Sequence, residues 1–546
     1  MKPYAALVGA VFGGLLTLPL MALLYLADQA GLPLVMYDLF DWLARVLPGN
    51  IIINSIETMV EIINDLNLGA TDSTAKTLEH LAALALFLAI GIVTGAILFA
   101  ILERRGAPLT GAARFVPGLI AGLIVSVPVI FISRDVNVTA SASGTTSAAW
   151  IALAFLAWGA LLSWAYARWT AAGAPASLES SAIPARAEPV SRRQFLIQVG
   201  GATATITVVG AGLARLLEVR DERAYEDLIA ERREAVLPAG LPNEGASVEP
   251  APGTRPEYTP LEDHYQIDIN ARPPEINEDD WRLAITGMVE RPLTLTLDEI
   301  KANYEPVDQY VTLACISNPV GGDLTSTTRW TGARLRDVLA DAGVQDGATY
   351  LRITSQDGFH EMVDLALVEA EPRIMLAYHW DGIPLLYKHG FPLRIYIPDR
   401  YGMKQPKWIT QIEVTDRYID GYWVERGWDE VAQMRTTSVV DVVASDSAFE
   451  RDGQTWVPVG GIAHAGARGI SKVEVRVDGG EWVEAALREP LSSTTWVIWR
   501  YDWPFEAGRH TFEVRCVDGD GENQSTADTG TFPSGATGIH SLTRTL

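Results

Sequence analysis

Cysteine is the residue that this chain most conspicuously lacks. Only Cys315 and Cys516 occur among 546 residues, and they form neither a CxxC nor a CxxCH motif. These absences exclude a disulfide framework, and we expect no iron–sulfur cluster and no covalently attached haem. A single disulfide between the two cysteines stays open at this stage.

Histidine and positive charge are also scarce. The first 217 residues contain one histidine, His80, whereas a haem held between helices usually takes two, so we expect no haem there. The net charge is −24, and nearly all of the excess acid follows about residue 217. Nucleic acid is therefore not an expected partner, because a phosphate backbone requires a basic surface.

Long apolar runs, by contrast, are abundant in the first part of the chain. The composition is 48% hydrophobic with a mean hydropathy of +0.12, which is too apolar for an ordinary soluble enzyme. A membrane span needs about 20 apolar residues, and this length is approached or reached by residues 4–26, 81–101, 115–132, 149–167 and 195–217. Residues 38–66 mix isoleucine and leucine with acids and amides, which is typical of an amphipathic segment at a membrane surface. We predict that residues 1–217 form a bundle of about five transmembrane helices.

The orientation of this bundle follows from lysine and arginine, which are enriched in cytoplasmic loops. With five spans, three groups of basic residues fall on one side: Lys2; Arg104, Arg105 and Arg114; and Arg168, Arg186, Arg192 and Arg193. The loops on the other side are poor in such residues, since 27–80 carries Arg45 and Lys76 among many acids and 134–148 is mostly small and polar. The sequence thus predicts a multi-pass protein of the cell membrane whose C-terminal part lies outside the cytoplasm. Residues 191–196, SRRQFL, resemble a twin-arginine export signal, which carries folded proteins; the alternative is that two arginines merely flank a helix.

Three further regions follow the membrane part. Residues 218–260 are charged and then rich in proline, glycine and glutamate, which predicts a short helix and an extended linker. Residues 261–436 have the pattern of an α+β domain, with strands at 283–285, 351–353, 393–397 and 412–414 and helices at 297–302, 333–342 and 363–370. Residues 437–546 contain short strands separated by glycine-rich turns, which predicts an all-β immunoglobulin-like sandwich with Cys516 in its core.

Cys315 is the candidate for chemistry in the α+β domain. Residues 311–314 alternate as a half-buried strand does, and Asn318, Pro319, Gly321 and Gly322 then predict a loop. A loop at the end of a strand can present a reactive side chain, and a thiolate is a soft ligand for a transition metal. The alternative is that Cys315 is a small buried hydrophobic residue.

Cys315 and Asn318, followed by residues 330–339 (WTGARLRDVL), resemble the segment around the molybdenum-ligating cysteine of the sulfite oxidase family. Residues 389–394 (HGFPLR) and 402–408 (GMKQPKW) resemble later segments of that family, in the same order. The resemblance extends from about His264 to the end of the chain. It implies a sulfite-oxidase-like molybdopterin domain and a C-terminal domain through which two copies can form a homodimer.

The resemblance also implies a molybdenum–molybdopterin cofactor and a set of site residues. Cys315 is the expected metal ligand, with Asn318 as a further catalytic candidate. Trp428 is a third candidate, because no tyrosine matches the family's active-site tyrosine. The expected cofactor-binding residues are Asp357, His389, Arg394, Lys404, Gln405 and Lys407.

Departures from the family pattern bear on the substrate. Pro319 and Val320 stand where sulfite oxidases have arginines, so we expect a less cationic pocket and two-electron oxygen-atom transfer on a small substrate other than sulfite. Electrons are expected to pass to or from an external electron-transfer protein or a quinone-linked partner. Two alternatives remain: a reductase of sulfoxide-type or other oxygenated substrates, and a metal-free surface binding module of the same fold.

The predicted topology can be checked with a reporter fused after Leu217. An alkaline phosphatase reporter at this position is expected to be active, because an odd number of spans and a cytoplasmic N-terminus place it outside the cytoplasm. A reporter that is inactive after Leu217 but active when fused between the second and third apolar segments would contradict the assignment.

Overall fold

A computed structural model of the chain describes residues 4–106, 109–172, 191–236 and 240–546. Lys2 and Arg186, two of the basic residues used above, lie outside these ranges. The described residues form two compact units. The helical unit comprises the described residues within Met1–Val46, Lys76–Leu228 and Asn270–Pro273. The other unit comprises those within Leu47–Ala75, Ile229–Ile269 and Pro274–Leu546, and we call it the catalytic unit because it contains Cys315, the residue that the sequence marks as the candidate for chemistry.

Helices account for the regular structure before residue 240. They are α1 (Tyr4–Asp28), α2 (Val35–Val46), α3 (Gly49–Asp65), α4 (Thr71–Arg105), α5 (Val116–Val136), α6 (Gly144–Ala171) and α7 (Arg192–Val236). In the described part of the chain, five helices are long and apolar enough to cross a membrane, or six if α2 and α3 together count as one bent span. The helix α7 continues without a break to Val236, so the short helix predicted in the linker is an extension of the fifth apolar helix.

Glycines allow two helix pairs of the helical unit to pack closely. A Cβ atom on Gly13 of α1 would lie 2.3 Å from the carbonyl oxygen of Gly91 in α4, and one on Gly118 would lie 1.9 Å from that of Gly159 in α6. Any side chain at these positions would push the helices apart, as at other small-residue contacts between apolar helices. The surrounding core consists mainly of aromatic and leucine side chains, including Phe12, Leu24, Phe99, Phe155 and Leu162.

The short segment Asn270–Pro273 belongs to the helical unit and is held there by polar contacts. Arg45 Nη2 donates to Asn270 Oδ1 at 2.6 Å. Arg272 Nη1 donates to both carboxylate oxygens of Asp28 at 2.9 Å. These charge-assisted hydrogen bonds attach residues 270–273 to the helices α1 and α2.

Between residues 274 and 436, the catalytic unit contains two β-sheets and three short α-helices. Its strands are β1 (Leu283–Gly287), β2 (Leu293–Leu295), β3 (Pro306–Ala314), β4 (Thr325–Arg334), β5 (Tyr350–Ser355), β6 (His360–Asp364), β7 (Met375–Trp380), β8 (Ile383–Pro384), β9 (Arg394–Tyr396) and β10 (Ile409–Thr415). Its helices are α8 (Leu297–Asn303), α9 (Leu335–Ala342) and α10 (Leu365–Ala370). One sheet has the order β2-β1-β10-β5-β6, with β1 parallel to β10, and the other has the order β3-β4-β7-β8, with β9 paired to β7.

The apolar faces of these elements form one continuous core. Leu283, Ile285, Ile353, Ile395 and Ile412 are all fully buried in it. The start of α8 is fixed by a capping box, in which Thr296 and Glu299 satisfy each other's main-chain N–H groups. The strand β3 ends at Ala314 and leads into a loop.

The last part of the chain is a pair of antiparallel sheets. Its strands are β11 (Thr437–Val443), β12 (Phe449–Arg451), β13 (Gln454–His464), β14 (Ile470–Val477), β15 (Val483–Glu484), β16 (Ala486–Leu487), β17 (Val497–Pro504), β18 (Arg509–Asp518) and β19 (His540–Thr545). Val459, Trp499, Phe512 and Val514 fill the core between the sheets together with Cys516, which is 1% exposed. Both cysteines are free thiols, so the disulfide that the sequence left open is not formed.

An ion-pair network around Arg468 joins this β region to the preceding α+β region. Arg468 Nε donates to Asp518 at 3.1 Å, and its guanidinium also pairs with Asp399. A further N–H donates to the carbonyl oxygen of Met434 at 2.9 Å. Asp518 is almost fully buried, and this arginine stabilises its charge together with the N–H groups of Asp520 and Glu522.

We predict that Arg468→Met destabilises the protein. Removing one partner of a buried pair leaves an uncompensated charge, which costs about 3–5 kcal/mol. The matched control is Arg451→Met, whose side chain is 48% exposed and lies 3.5 Å from Asp502; an exposed pair contributes about 0–1 kcal/mol. Thermal unfolding of the detergent-solubilised chain measures both, and equal melting temperatures for the two variants would contradict this account.

Candidate active site

Cys315 lies immediately after β3, at the start of the loop that returns the chain to β4. Its N–H donates to the carbonyl oxygen of Leu324 at 2.9 Å, and its own carbonyl oxygen accepts from the N–H of Asn318 at 3.1 Å. Asn318 Oδ1 in turn accepts from the N–H of Leu324 at 2.9 Å. The side chain of Asn318 therefore fixes the shape of this loop, which we call the cysteine loop (residues 315–324).

The thiol of Cys315 is partly buried against an apolar cluster that includes Trp330 and Trp380. Its Sγ lies 3.0 Å from Ser317 Oγ. Burial raises the pKa of the Cys315 thiol above its ordinary value, while hydrogen bonds from Ser317 and Ile316 oppose the rise. Without a metal the thiol thus keeps its proton at neutral pH, and binding a metal would release that proton.

A group of basic residues converges on the same cluster around Gly390. Gly390 has a φ of +110°, and a Cβ atom there would lie 3.1 Å from the Cβ atoms of both Arg394 and Lys407. His389 precedes this glycine and is 1% exposed. A residue without a side chain is required at this point because three cofactor-binding candidates, His389, Arg394 and Lys407, meet around it.

Arg394 is a buried cation on the face of a tryptophan. The residue is 3% exposed, and its guanidinium carbon lies 4.5 Å from the centre of the Trp330 ring. Its Nη1 donates to the carbonyl oxygen of His389 at 3.0 Å, while its Nε has no hydrogen-bond partner in the part of the chain that the structure describes. Burial lowers the pKa of Arg394 to about 10, so the group stays charged at neutral pH.

Two histidines lie beside this arginine. The rings of His264 and His389 are 5.1 Å apart, and both pack against Trp380, at 4.9 and 4.4 Å. His264 Nδ1 lies 3.1 Å from the carbonyl oxygen of Tyr265. Within the described ranges, the Nε2 atoms of both histidines are buried without a hydrogen-bond partner. Such groups are costly unless something else satisfies them.

The two predicted lysines have different surroundings. Lys407 Nζ pairs with Asp268 and donates to the carbonyl oxygens of Ile267 and Lys388 at 3.1 and 3.2 Å. Lys404 pairs at 2.7 Å with the carboxylate of Glu361, which is fully buried. Lys407 therefore lies beside Gly390, whereas the charge of Lys404 is neutralised by the buried carboxylate of Glu361.

The other predicted residues are all buried. Gln405 Nε2 donates to the carbonyl oxygens of Ile397 and Arg400, and its Oε1 lacks a partner among the described residues. Asp357 accepts a hydrogen bond from the N–H of Phe359 at 3.0 Å in the β5–β6 turn. Trp428 packs with Ala314 and Ile316, the two neighbours of Cys315, in a separate cluster from that of the thiol.

Two site residues, His264 and Tyr265, were missed by the motif comparison. Burial and the nearby Cys315 raise the pKa of the Tyr265 hydroxyl, whereas Arg394 opposes the rise, so Tyr265 lies near both the thiol and the cation. Neither residue lies in a segment whose motif carries the family resemblance, so only the fold brings them to the site.

Comparisons with known proteins identify several that are similar to this chain. Residues 270–423 match the family model of the oxidoreductase molybdopterin binding domain. The chain is 30% identical over 287 residues to the mitochondrial sulfite oxidase of Macaca fascicularis, covering 44% of this chain and 52% of that protein. It is 28% identical over 278 residues to nitrate reductase [NADH] 1 of Oryza sativa subsp. japonica, covering 40% and 30%. The crystal structure of the sulfane dehydrogenase SoxCD from Paracoccus pantotrophus is 19% identical with a TM-score of 0.47, covering 56% of this chain and 90% of that chain.

The match defines residues 270–423 as an oxidoreductase molybdopterin binding domain. The chain is similar in this part to sulfite oxidases and nitrate reductases. The chain spans about half the length of the curated sulfite oxidases it matches.

The residues around the cysteine loop fit a molybdopterin group. Among the described residues, the Nε of the buried Arg394 has no hydrogen-bond partner, which calls for an anionic, hydrogen-bond-accepting ligand. Because Nδ1 of the neutral His264 donates to the carbonyl oxygen of Tyr265, its buried Nε2 is an acceptor and calls for a donor. A phosphorylated pterin has both properties. Charge-assisted hydrogen bonds to a phosphate are the kind of contact that arginine makes best.

The buried histidines predict that the cofactor-free protein loses stability in acid. Burial lowers the pKa of His264 to about 3 and that of His389 well below its ordinary value of 6.5. Between pH 6.5 and 3 the unfolded chain binds a proton at His264 that the folded chain does not, so stability falls as the pH falls, by ~1.4 kcal/mol per pH unit. Melting temperatures between pH 7 and 5 measure this slope. His264→Phe should have a shallower slope, and an unchanged slope would show that His264 does not titrate in this way.

Proposed function

We propose that this chain is a membrane-anchored molybdenum-cofactor oxidoreductase whose catalytic unit works outside the cytoplasm. Large apolar side chains are exposed on the long helices, with Ile124 and Phe131 each 67% and Val208 71% exposed. Lipid tails are the medium in which such surfaces are stable. The arginines that flank these helices on one side support the proposed orientation, and the SRRQFL sequence supports export of the folded catalytic unit.

One observation carries the proposed chemistry: a single apolar cluster contacts both the Cys315 thiol and the buried donors of His389 and Arg394. Cys315 would provide the thiolate ligand to molybdenum. His389, Arg394 and Lys407 would bind the pterin and its phosphate. When bound, the molybdenum–pterin group supplies two-electron oxygen-atom transfer on a small substrate.

The other residues of the site have supporting roles in this proposal. Asn318 holds the cysteine loop through its bond to Leu324, so we infer that it positions the thiolate. Tyr265 keeps its phenolic proton, because burial raises its pKa, and it can therefore donate a hydrogen bond near the metal. Gln405 offers a buried amide oxygen to the pterin. Both lysines pair with a carboxylate, Lys404 with Glu361 and Lys407 with Asp268. Because Lys407 lies beside Gly390 and Arg394, we assign it the direct role and Lys404 an indirect one.

The cysteine loop favours a substrate with less negative charge than sulfite. It contains Pro319 and Val320 and no arginine or lysine, and Asp323 adds an acid. A dianion would meet little compensating charge here. This observation also favours the second candidate, a reductase of sulfoxide-type or other oxygenated substrates. A metal-free binding module is the less supported reading, because it leaves the buried cation Arg394 unpaired.

Electron transfer and assembly complete the proposal. Electrons would pass to or from an external protein or a quinone-linked partner, since we expect no haem or iron–sulfur centre in this chain. The paired antiparallel sheets of residues 437–546 would provide a homodimer contact of the immunoglobulin-like type expected from the family resemblance.

The full chain, purified in detergent from a host that synthesises the cofactor, is expected to contain stoichiometric molybdenum and pterin. Cys315→Ser should retain pterin but lose oxygen-atom transfer. Arg394→Met should bind the pterin with at least about tenfold lower affinity, because a charge-assisted hydrogen bond contributes about 1.5–3 kcal/mol. Metal analysis, pterin fluorescence and a screen of small oxygenated substrates measure these effects.

Arg336→Met is the matched control, because its side chain is 46% exposed and lies on the surface of α9. This variant should retain metal and pterin at the wild-type level. A wild-type protein without molybdenum would refute the proposed function, and a Cys315→Ser variant with full activity would refute the ligand assignment.

A further inference from the structure

The segment Leu47–Ala75 belongs to the catalytic unit although its two ends continue along the chain into helices of the helical unit. It consists of α3, a short connection and the first turn of α4. We call it the inter-helix segment. More than 180 residues separate it along the chain from the molybdopterin-binding domain that begins at residue 270.

The first contact of this segment lies against the cysteine loop. Ile53 is 4% exposed and belongs to one buried cluster with Trp428 and with Ala314 and Ile316, which flank Cys315. At the start of the same helix, a Cβ atom on Gly49 would lie 3.0 Å from the main chain of Arg426. The helix α3 therefore contributes to the apolar cluster that contains both neighbours of Cys315.

The second contact lies at the other end of the segment. The N–H of Thr71 donates to Asp323 Oδ2, in the cysteine loop, at 2.8 Å. Asp72 Oδ2 accepts from the N–H of Gln266, the neighbour of Tyr265, at 2.8 Å. Both bonds are charge-assisted, and Thr71 is 2% exposed, so they are stronger than ordinary surface contacts.

The cysteine loop is thus held between two groups of residues. Cys315 packs against the cluster of Trp330 and Trp380, whereas its two neighbours belong to a different cluster, which includes Ile53. The inter-helix segment lies on the side of the loop opposite to the side on which the thiol packs. A loop held on one face only would open locally more often.

We propose that the inter-helix segment positions Cys315 for metal binding, with Ile53 as the positioning residue and Asp72 and Thr71 as the second anchor. This inference rests on the proposed function, in which Cys315 is the metal ligand. Ile53 acts through Ala314 and Ile316 and touches no reacting atom. A catalytic unit produced without residues 47–75 would lack the residues that cover the back of its cysteine loop.

The test measures the alkylation rate of Cys315 in the full chain, purified without cofactor from a host that does not make molybdopterin. N-ethylmaleimide is the probe, peptide mass spectrometry gives the rate, and buried Cys516 is the internal reference. Ile53→Ala should raise the Cys315 rate at least about tenfold, which corresponds to ~1.4 kcal/mol less stability of the closed loop. Ile53→Val should restore most of the protection.

The matched control is Ile62→Ala, which makes the same change on α3 at a side chain that is 45% exposed. Equal Cys315 rates in Ile53→Ala and Ile62→Ala would overturn the proposal. If Ile53→Ala exposes both cysteines together through general unfolding, Asp72→Ala decides, with exposed Asp65→Ala as its control. Faster labelling of Cys315 alone in Asp72→Ala supports the proposal, and no change overturns it.

The outcome is independent of the test of the proposed function. Labelling requires no metal, no cofactor and no substrate. A wild-type chain that lacks molybdenum would refute the proposed function, yet the labelling rates would still show whether the inter-helix segment holds the cysteine loop.

Discussion

A buried positive charge without a counter-charge in the described part of the chain is the constraint on which this site depends. Arg394 lies on the ring of Trp330, almost fully removed from water, and its Nη1 donates to the main-chain carbonyl of His389. Two histidines beside it, His264 and His389, contribute further unsatisfied nitrogens. Taking such groups out of water costs free energy unless they are paired, so the fold is complete only with an anionic ligand. The molybdopterin phosphate has the required charge and hydrogen-bond acceptors.

The position of this charge relative to Cys315 follows from a few backbone features. The strand β3 ends at Ala314, and the loop beyond it is closed by Asn318 and Leu324. On the other side, Gly390 lets Arg394 and Lys407 approach each other as no larger residue would. The tryptophans between the two sides supply a rigid apolar wall. The thiol and the basic residues are thus presented to one region of the catalytic unit by separate segments of the chain.

Much of this arrangement could be predicted from the sequence, because it depends on strong local signals. The apolar runs predicted five long helices, and the alternation of residues 311–314 placed Cys315 at the end of a strand. The sequence predicts no strand at β4, because the threonine-rich stretch before Trp330 has no alternating apolar pattern. The strand β4 extends to Arg334, so the helix predicted from residue 333 starts at Leu335. The bounds of the C-terminal strands were likewise set by long-range pairing rather than by local pattern.

The parts that sequence could not provide are those that depend on distant contacts. Lys404 has the residue type of a cofactor ligand, but only the fold reveals that Glu361 already neutralises it. Nothing in the pattern of residues 47–75 indicates that Ile53 packs behind the cysteine loop, because its amphipathic character fits a membrane surface equally well. Only the fold shows that His264 lies against His389 and Trp380 and therefore belongs to the site.

Anomalous diffraction at the molybdenum absorption edge, from crystals of the purified full chain, tests the central claim most directly. This account predicts one strong anomalous peak per chain within metal–thiolate bonding distance of Cys315 Sγ, with density for a pterin whose phosphate contacts Arg394. An anomalous map without a peak at Cys315, or with the metal bound elsewhere in the chain, would contradict it.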